Sequence, residues 1–272
     1  MRNRGFTREN RMNKKTISVV IPAYNEGPRI KQTVREVYDY FTASDRFLLK
    51  EIIVVDDGSD DGTGDQLAAR QVTCGSLLVL RNKQNQGKGA AVKRGVQEAS
   101  GDTILFMDAD LSTPLRYVDR LFDALEKGAD IAIGSRALKD SKLIKRQPFY
   151  RELSGRLFNL FVQVFFTWGI WDTQCGFKLF RPGIGRRIFS QLRIKGFAFD
   201  VEFLHRAKAY GCTIAEVPVE WIHGPDSKVK MLRDPFLMIR DLLGLGVTSL
   251  LNRLRGTADH AEEEALRLRC KP

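Results

Sequence analysis

The sequence predicts an α/β protein built on a mostly parallel central sheet, and three observations carry that expectation. Between residues 16 and 136 short β-branched runs alternate with longer mixed segments, the signature of successive βα units. Polar residues gather directly after those runs, and an open α/β sheet binds its ligands beyond the carboxyl ends of its strands. The 272 residues, 43% hydrophobic and 28% charged, suffice for a large core, which argues against disorder across most of the chain.

The predicted strands are 17–21 (ISVVI), 51–55 (EIIVV), 77–80 (LLVL), 103–107 (TILFM) and 130–134 (DIAIG). A helix over 28–40 places Ile30, Val34, Val37 and Tyr38 on one face, and another follows the third strand at 89–99. Residues 114–127 set Leu115, Val118, Leu121, Phe122 and Leu125 at helical spacing, with Pro114 suited to a first helical position. Beyond Arg136 the spacing predicts a strand at 174–180, a helix from Pro182, a helix over 200–210 and a strand through 214–221. No internal repeat or low-complexity linker interrupts the chain. The expected organisation is a basic tail (1–15), one large domain (16–230) and an amphipathic helix with a charged tail (231–272).

Lys and Arg number 44 against 33 Asp and Glu, a net charge of +11, so an anionic partner is expected: nucleic acid, membrane or a phosphorylated substrate. Nucleic-acid binding calls for a basic face interleaved with stacking aromatics or a binding motif, and the strand-end residues supply neither. Residues 136–156 hold seven basic and two acidic residues and lead straight into an aromatic run at 157–171, where Phe158, Phe161, Phe165 and Trp168 or Trp171 keep helical spacing. That run reads either as core or as an interfacial helix; 231–255 repeats the basic, apolar pattern, and the expectation is a peripheral protein on an anionic membrane surface, at its cytoplasmic face. No segment reaches the roughly 20 apolar residues of a spanning helix. The basic N-terminus leads into no apolar segment with a cleavage site, so it does not read as a secretory signal. Cys74, Cys175, Cys212 and Cys270 are widely spaced, which suits free thiols and implies no zinc.

The first strand ends in Pro22, Ala23, Tyr24, Asn25 and Glu26, the second in Asp56, Asp57, Gly58 and Ser59, and the fourth in Asp108, Ala109 and Asp110. Acidic and glycine residues commonly form turns at strand ends, but three groups at equivalent positions point to a site. Asp108 and Asp110, two apart on an extended segment, suit Mg²⁺ or Mn²⁺ that also holds a diphosphate; the alternative is a pair of turn aspartates ahead of Pro114. Residues 85–89 (NQGKG) open a helix, where backbone amides and Lys88 would meet a phosphate, without P-loop spacing.

Taken in order, IPAYNEG, VVDDGSDDGT, NQGKGAAVKRG and FMDADLSTP resemble family 2 glycosyltransferases of the GT-A fold, over roughly residues 16–230. DTQCGFKLF (172–180), QPFYR (147–151) and FAFDVE (197–202) are similar to the dolichyl-phosphate β-glucosyltransferase branch more than to the mannosyl branch, which usually reads SGFR or SGFK. The resemblance implies inverting transfer of glucose from UDP-glucose to a dolichyl or polyprenyl phosphate, with a divalent metal. Pro22, Tyr24 and Glu26 would then line the nucleoside pocket, Asp56 or Asp57 would bind the uracil, Lys88 would lie near the donor, and Asp108 and Asp110 would form the DxD pair at the metal. Relatives in the mannosyl branch often carry Gln two residues after the second Asp, where this chain has Ser112, so a third protein ligand is left open. Arg136, Arg146, Arg151 and Lys178 are candidates for the acceptor phosphate, and Asp172 and Glu202 for orienting those cations or the glucose hydroxyls. Asp200 is either functional or a helix cap. His205 and His260 read as structural or exposed, and His223 as a candidate sugar or phosphate contact. The rival readings are a mannosyltransferase using GDP-mannose, transfer to a glycan hydroxyl with Asp200 or Glu202 as essential base, and a non-catalytic sugar-nucleotide sensor.

Overall fold

A computed structural model describes residues 14–71, 76–143, 159, 161–222 and 233–255. The predicted alternation is present. β1 (Lys15–Ala23), α1 (Arg29–Thr42), β2 (Phe47–Asp56), α2 (Thr63–Gln71), β3 (Leu77–Arg81), α3 (Lys88–Glu98) and β4 (Thr103–Met107) follow in turn. A 3₁₀ turn (Leu115–Tyr117), α4 (Val118–Glu126) and β5 (Ile131–Ser135) continue the pattern. The second half supplies β6 (Lys142–Leu143), β7 (Phe177–Phe180), α5 (Pro182–Gln191), α6 (Phe199–Ala209), β8 (Ile214–Pro218), β9 (Glu220–Trp221) and α7 (Asp234–Arg255).

Seven strands form one sheet in the order β3-β2-β1-β4-β7-β5-β8. All pairings are parallel except those of β7, which runs antiparallel to β4 and β5. Alternation along the strands sends side chains to two cores. Ile17, Val19, Ile21, Leu105 and Leu179 pack with α1 and α4 through Val34, Val37, Leu121 and Phe122. Val20, Ile53, Ile104, Phe106 and Phe180 face the other way, against α3, α5 and α6 through Val92, Val96, Phe189 and Phe203. A separate pair of short parallel strands, β6 and β9, sits beyond the end of β5 and β8.

Several boundaries differ from the expectation. The strand predicted over 174–180 starts at Phe177, because Asp172 Oδ1 accepts the Gln174 amide and the Phe177 amide closes a tight turn onto Cys175 O. The strand predicted over 214–221 is broken at Val219, whose amide bonds Ser135 O, giving β8 and β9. Pro114 caps the 3₁₀ turn from outside instead of occupying the first helical position. In the aromatic run, residues 161–165 are helical, but the helix ends where the Phe166 and Thr167 amides both bond Val162 O, and Gly169 turns with φ +85°. Trp168 and Trp171 therefore lie past the helix they were expected to join, and Phe158 lies outside the described residues.

Candidate active site

The three strand-end groups meet at the carboxyl edge of β1, β2 and β4, joined by the glycine-rich loop before α3, and the loops bond to one another. Ser59 Oγ accepts the Asn25 amide, and Thr63 Oγ1 accepts those of Glu26 and Gly27 at 3.0 and 2.8 Å. Tyr24, at the rim, is 38% exposed, while the Glu26 carboxylate holds Arg29. Pro22 lies in β1 opposite Val55. At the end of β2 both aspartates are buried. Asp57 accepts from Asn82 Nδ2 and the amides of Gln86 and Gly87, so it organises the glycine-rich loop. Asp56 Oδ1 accepts the Ser59 amide; its Oδ2 has no hydrogen bond, although Arg81 Nε stands 3.3 Å away.

That loop departs from the expectation of a backbone phosphate nest. Its amides at Gln86 and Gly87 are used by Asp57, and Ala90 N donates to Lys195 O. A side-chain carbon at Gly87 or Gly89 would meet Lys195 O at 2.5 Å or Ile194 O at 2.7 Å, so the start of α3 packs against that segment. What reaches the cleft is Lys88, with Nζ 2.6 Å from Asp108 Oδ1. Burial opposes its charge, but Asp108, Asp200 and Asp110 outweigh that and hold the ammonium above the ordinary lysine value.

Asp108 owes its place to β7. Its amide donates to Gly176 O at 2.9 Å, and a Cβ at residue 176 would lie 2.0 Å from Asp108 Oδ2, so the glycine leaves the space the carboxylate occupies. Asp110 is exposed, and its Oδ1 accepts the Ser112 amide. Ser112 Oγ is buried without a hydrogen-bond partner among the described residues, and it lines the same cleft as Asp108, Thr113, Gly176 and Trp221. Two carboxylates and a spare hydroxyl, with no cluster of three acidic, His or Cys ligands among the described residues, fit a hard divalent cation that takes its other oxygens from phosphate and water. They do not fit zinc.

On the opposite side, Asp172 grips Arg136 with both oxygens, at 2.7 and 2.8 Å, and also accepts the Arg136 amide. Burial opposes ionisation of Asp172, yet the guanidinium outweighs it and holds the carboxyl below the usual range. Arg136 also lies over Trp221, 5.4 Å from the ring centroid. Tryptophan at this position carried no functional expectation from sequence; its place as the last residue of the predicted strand was the available signal. Trp221 is fixed by β6 and β9, with Glu220 bridging to Arg116 and Lys142 and the Ile222 amide bonding Ser112 O.

Two expected contacts are corrected. Lys178 is 1% exposed, and its ammonium is spent on Asp200 Oδ1 and Cys175 O, both at 2.6 Å; it braces the turn before Gly176 from below and does not face an acceptor. Glu202 is fully buried and accepts the Arg193 and Ile194 amides and Arg206, so it ties α6 to the segment after α5 instead of orienting cleft cations. Asp200 is likewise no side-chain cap; burial raises its carboxyl above the ordinary value despite the lysine beside it. Cys175 is buried and free, its thiol pushed up to about 11 by that burial, which makes it a packing residue. His205 is structural, with Nδ1 2.9 Å from Phe166 O. Arg146, Arg151, His223 and His260 lie outside the described residues.

Comparison with known proteins gives the family and the fold. The glycosyl transferase family 2 model matches residues 18–189, and the chain belongs to that family. Within it, a Dictyostelium discoideum protein named dolichyl-phosphate beta-glucosyltransferase is 37% identical over 245 residues, covering 86% of this chain and 75% of the relative. The human protein of the same name is 36% identical, with 84% and 74% covered. Among solved structures, glucosyl-3-phosphoglycerate synthase from Mycobacterium tuberculosis in complex with UDP superposes with a TM-score of 0.64 at 22% identity, over 90% of this chain and 86% of that one. A further structure of that enzyme contains Mn²⁺, UDP and phosphoglyceric acid. The fold is therefore GT-A.

Proposed function

We propose that this protein transfers glucose from UDP-glucose to dolichyl or another polyprenyl phosphate, with inversion, at the cytoplasmic face of a membrane. The names of the relatives support the reaction, and one feature of the cleft supports the acceptor: its inner carboxylates are spent. Attack by a hydroxyl needs a base to take its proton. Asp172 is locked on Arg136, Asp200 on Lys178, and Glu202 on backbone amides. A lipid phosphate, with a second pKa near about 6, is already ionised and attacks without that help. What it needs is a positioned cation, and Arg136, fixed by Asp172 and Trp221, supplies one; Arg151 joins it as a proposal from the sequence. This arrangement favours a phosphate acceptor over a glycan hydroxyl.

On the donor side Pro22, Tyr24 and Glu26 would line the nucleoside pocket and Asp56 and Asp57 its inner wall. Asp108 and Asp110 would hold Mg²⁺ or Mn²⁺, which when bound offsets diphosphate charge. The buried free thiol of Cys175 suits a reducing compartment.

Membrane contact has its own support. Among the described residues no helix is long and apolar enough to cross a bilayer. Instead α7 turns Leu242 into the core and leaves Phe236, Ile239, Leu243 and Val247 exposed at helical spacing, while Val164, Phe165 and Trp168 are exposed on the neighbouring segment, Trp168 by 75%. Apolar and aromatic residues so placed suit an interfacial surface.

Purified protein with Mn²⁺ and a short-chain polyprenyl phosphate is expected to form lipid-linked hexose from UDP-glucose, detected by mass spectrometry. Product from GDP-mannose and none from UDP-glucose would overturn the donor assignment.

A further inference from the structure

Lys88 is the first residue of α3, and its ammonium stands 2.6 Å from Asp108 Oδ1 and 5.6 Å from the centre of the Phe106 ring. Asp200, the next carboxylate inward, already has the buried Lys178 at 2.6 Å. Among the described residues Lys88 therefore has one ion-pair partner, Asp108, a carboxylate assigned above to the metal side. A divalent cation drawn to Asp108 competes with the ammonium for the charge of that carboxylate, so metal and donor binding loosen the pair. The lysine stem is long and flexible enough to carry its charge elsewhere.

The reaction defines where that charge is needed. The bond from the anomeric carbon to the β-phosphate oxygen breaks, and its electron pair stays on the β-phosphate. A phosphate oxygen of the acceptor forms the new bond to the same carbon, and no proton moves. One unit of negative charge thus appears on the diphosphate as one disappears from the acceptor. A cation that meets the diphosphate more closely as this charge grows stabilises the transition state more than the ground state.

We infer that Lys88 is the leaving-group cation: its ammonium is held on Asp108 until the donor binds, and then takes up the charge that develops on the departing UDP. This rests on the donor chemistry proposed above. It assigns Lys88 a different task from the fixed guanidinium of Arg136 across the cleft.

The test compares UDP, which carries the extra charge, with UDP-glucose, which does not. In titration calorimetry with saturating Mn²⁺, K88M is expected to lose at least tenfold in affinity for UDP and less than threefold for UDP-glucose, with K88R retaining most of the difference. Mn²⁺ alone, followed by electron paramagnetic resonance, is expected to bind K88M several-fold more tightly than the wild type, since Asp108 is released. Equal losses for the two nucleotides, or no loss, overturn the leaving-group role. Unchanged Mn²⁺ affinity overturns the holding role of Asp108. K88Q provides the same readings if K88M is poorly folded, as judged by circular dichroism. A wild type that binds neither nucleotide in Mn²⁺ would instead sink the proposed function itself.

Discussion

At Gly176 the difference between a hydrogen and a methyl group falls on Asp108, whose Oδ2 would lie 2.0 Å from an added Cβ. Gly176→Ala is expected to cut transfer more than a hundredfold by displacing that carboxylate, while the melting temperature moves by only a few degrees; a variant with near-normal turnover would show that Asp108 is not held by this contact. Asp172 makes a second prediction, with a defined pH sense. Its carboxyl is held below the usual range, so its contribution to stability is present above the unfolded value of about 3.9 and is lost as pH falls through the lower folded value. Asp172→Asn, which strands the Arg136 charge, is expected to cost about 3 kcal/mol in urea unfolding at pH 7 and pH 5 alike, shrinking only in stronger acid. The same variant should raise KM for the polyprenyl phosphate while leaving UDP binding unchanged. The DxD aspartates were legible in the sequence because they directly follow a strand, and Lys88 because it lies in a glycine-rich stretch that opens a helix. Lys178 and Glu202 were not, because sequence shows their charge but not the strand and helix faces that bury it.

At the scale of elements, β1 to β5 were legible from β-branched runs, and α1, α3 and α4 from helical spacing. α2 escaped because TGDQLAARQ has no apolar stripe; of its described side chains Leu67 is the hydrophobic one buried. β6 is two residues long, too short for any period to register, and β9 was read as the end of one strand over 214–221, yet their pairing carries Trp221 to the cleft. Helical spacing also ran on past Val162, since spacing does not report where backbone bonds end a helix. The core and interfacial readings of the aromatic run each hold for part of it: Val162 and Ile170 are buried, while Val164, Phe165, Trp168 and Trp171 are exposed. The double variant Phe165→Ser/Trp168→Ser is expected to reduce co-sedimentation with vesicles of phosphatidylcholine and phosphatidylserine at least fivefold, without altering UDP affinity. Undiminished vesicle binding would detach this face from the membrane.

Over the whole molecule the charge that dominates the composition is unevenly used. The described cleft balances its ions closely: Lys88 with Asp108, Arg136 with Asp172 and Lys178 with Asp200. The excess of positive charge lies largely outside that balance, in residues 1–15 and 137–156. Such a distribution pairs the ions of the cleft internally and leaves the basic segments of the sequence as the source of the attraction to anions.

The antiparallel strand in the interior of the sheet also governs how the chain assembles. β5 has no direct bond to β4; its neighbours are β7 and β8, whose residues follow it by some forty and eighty positions. During synthesis the apolar segment 131–135 therefore emerges well before either partner, and the gap beside β4 stays open until β7 is made. Sheet closure is a long-range, late event of the kind that slows folding. The strand that closes the sheet is also the one that sets Gly176 against Asp108, so a nascent chain gains its metal-side geometry only on completing its fold.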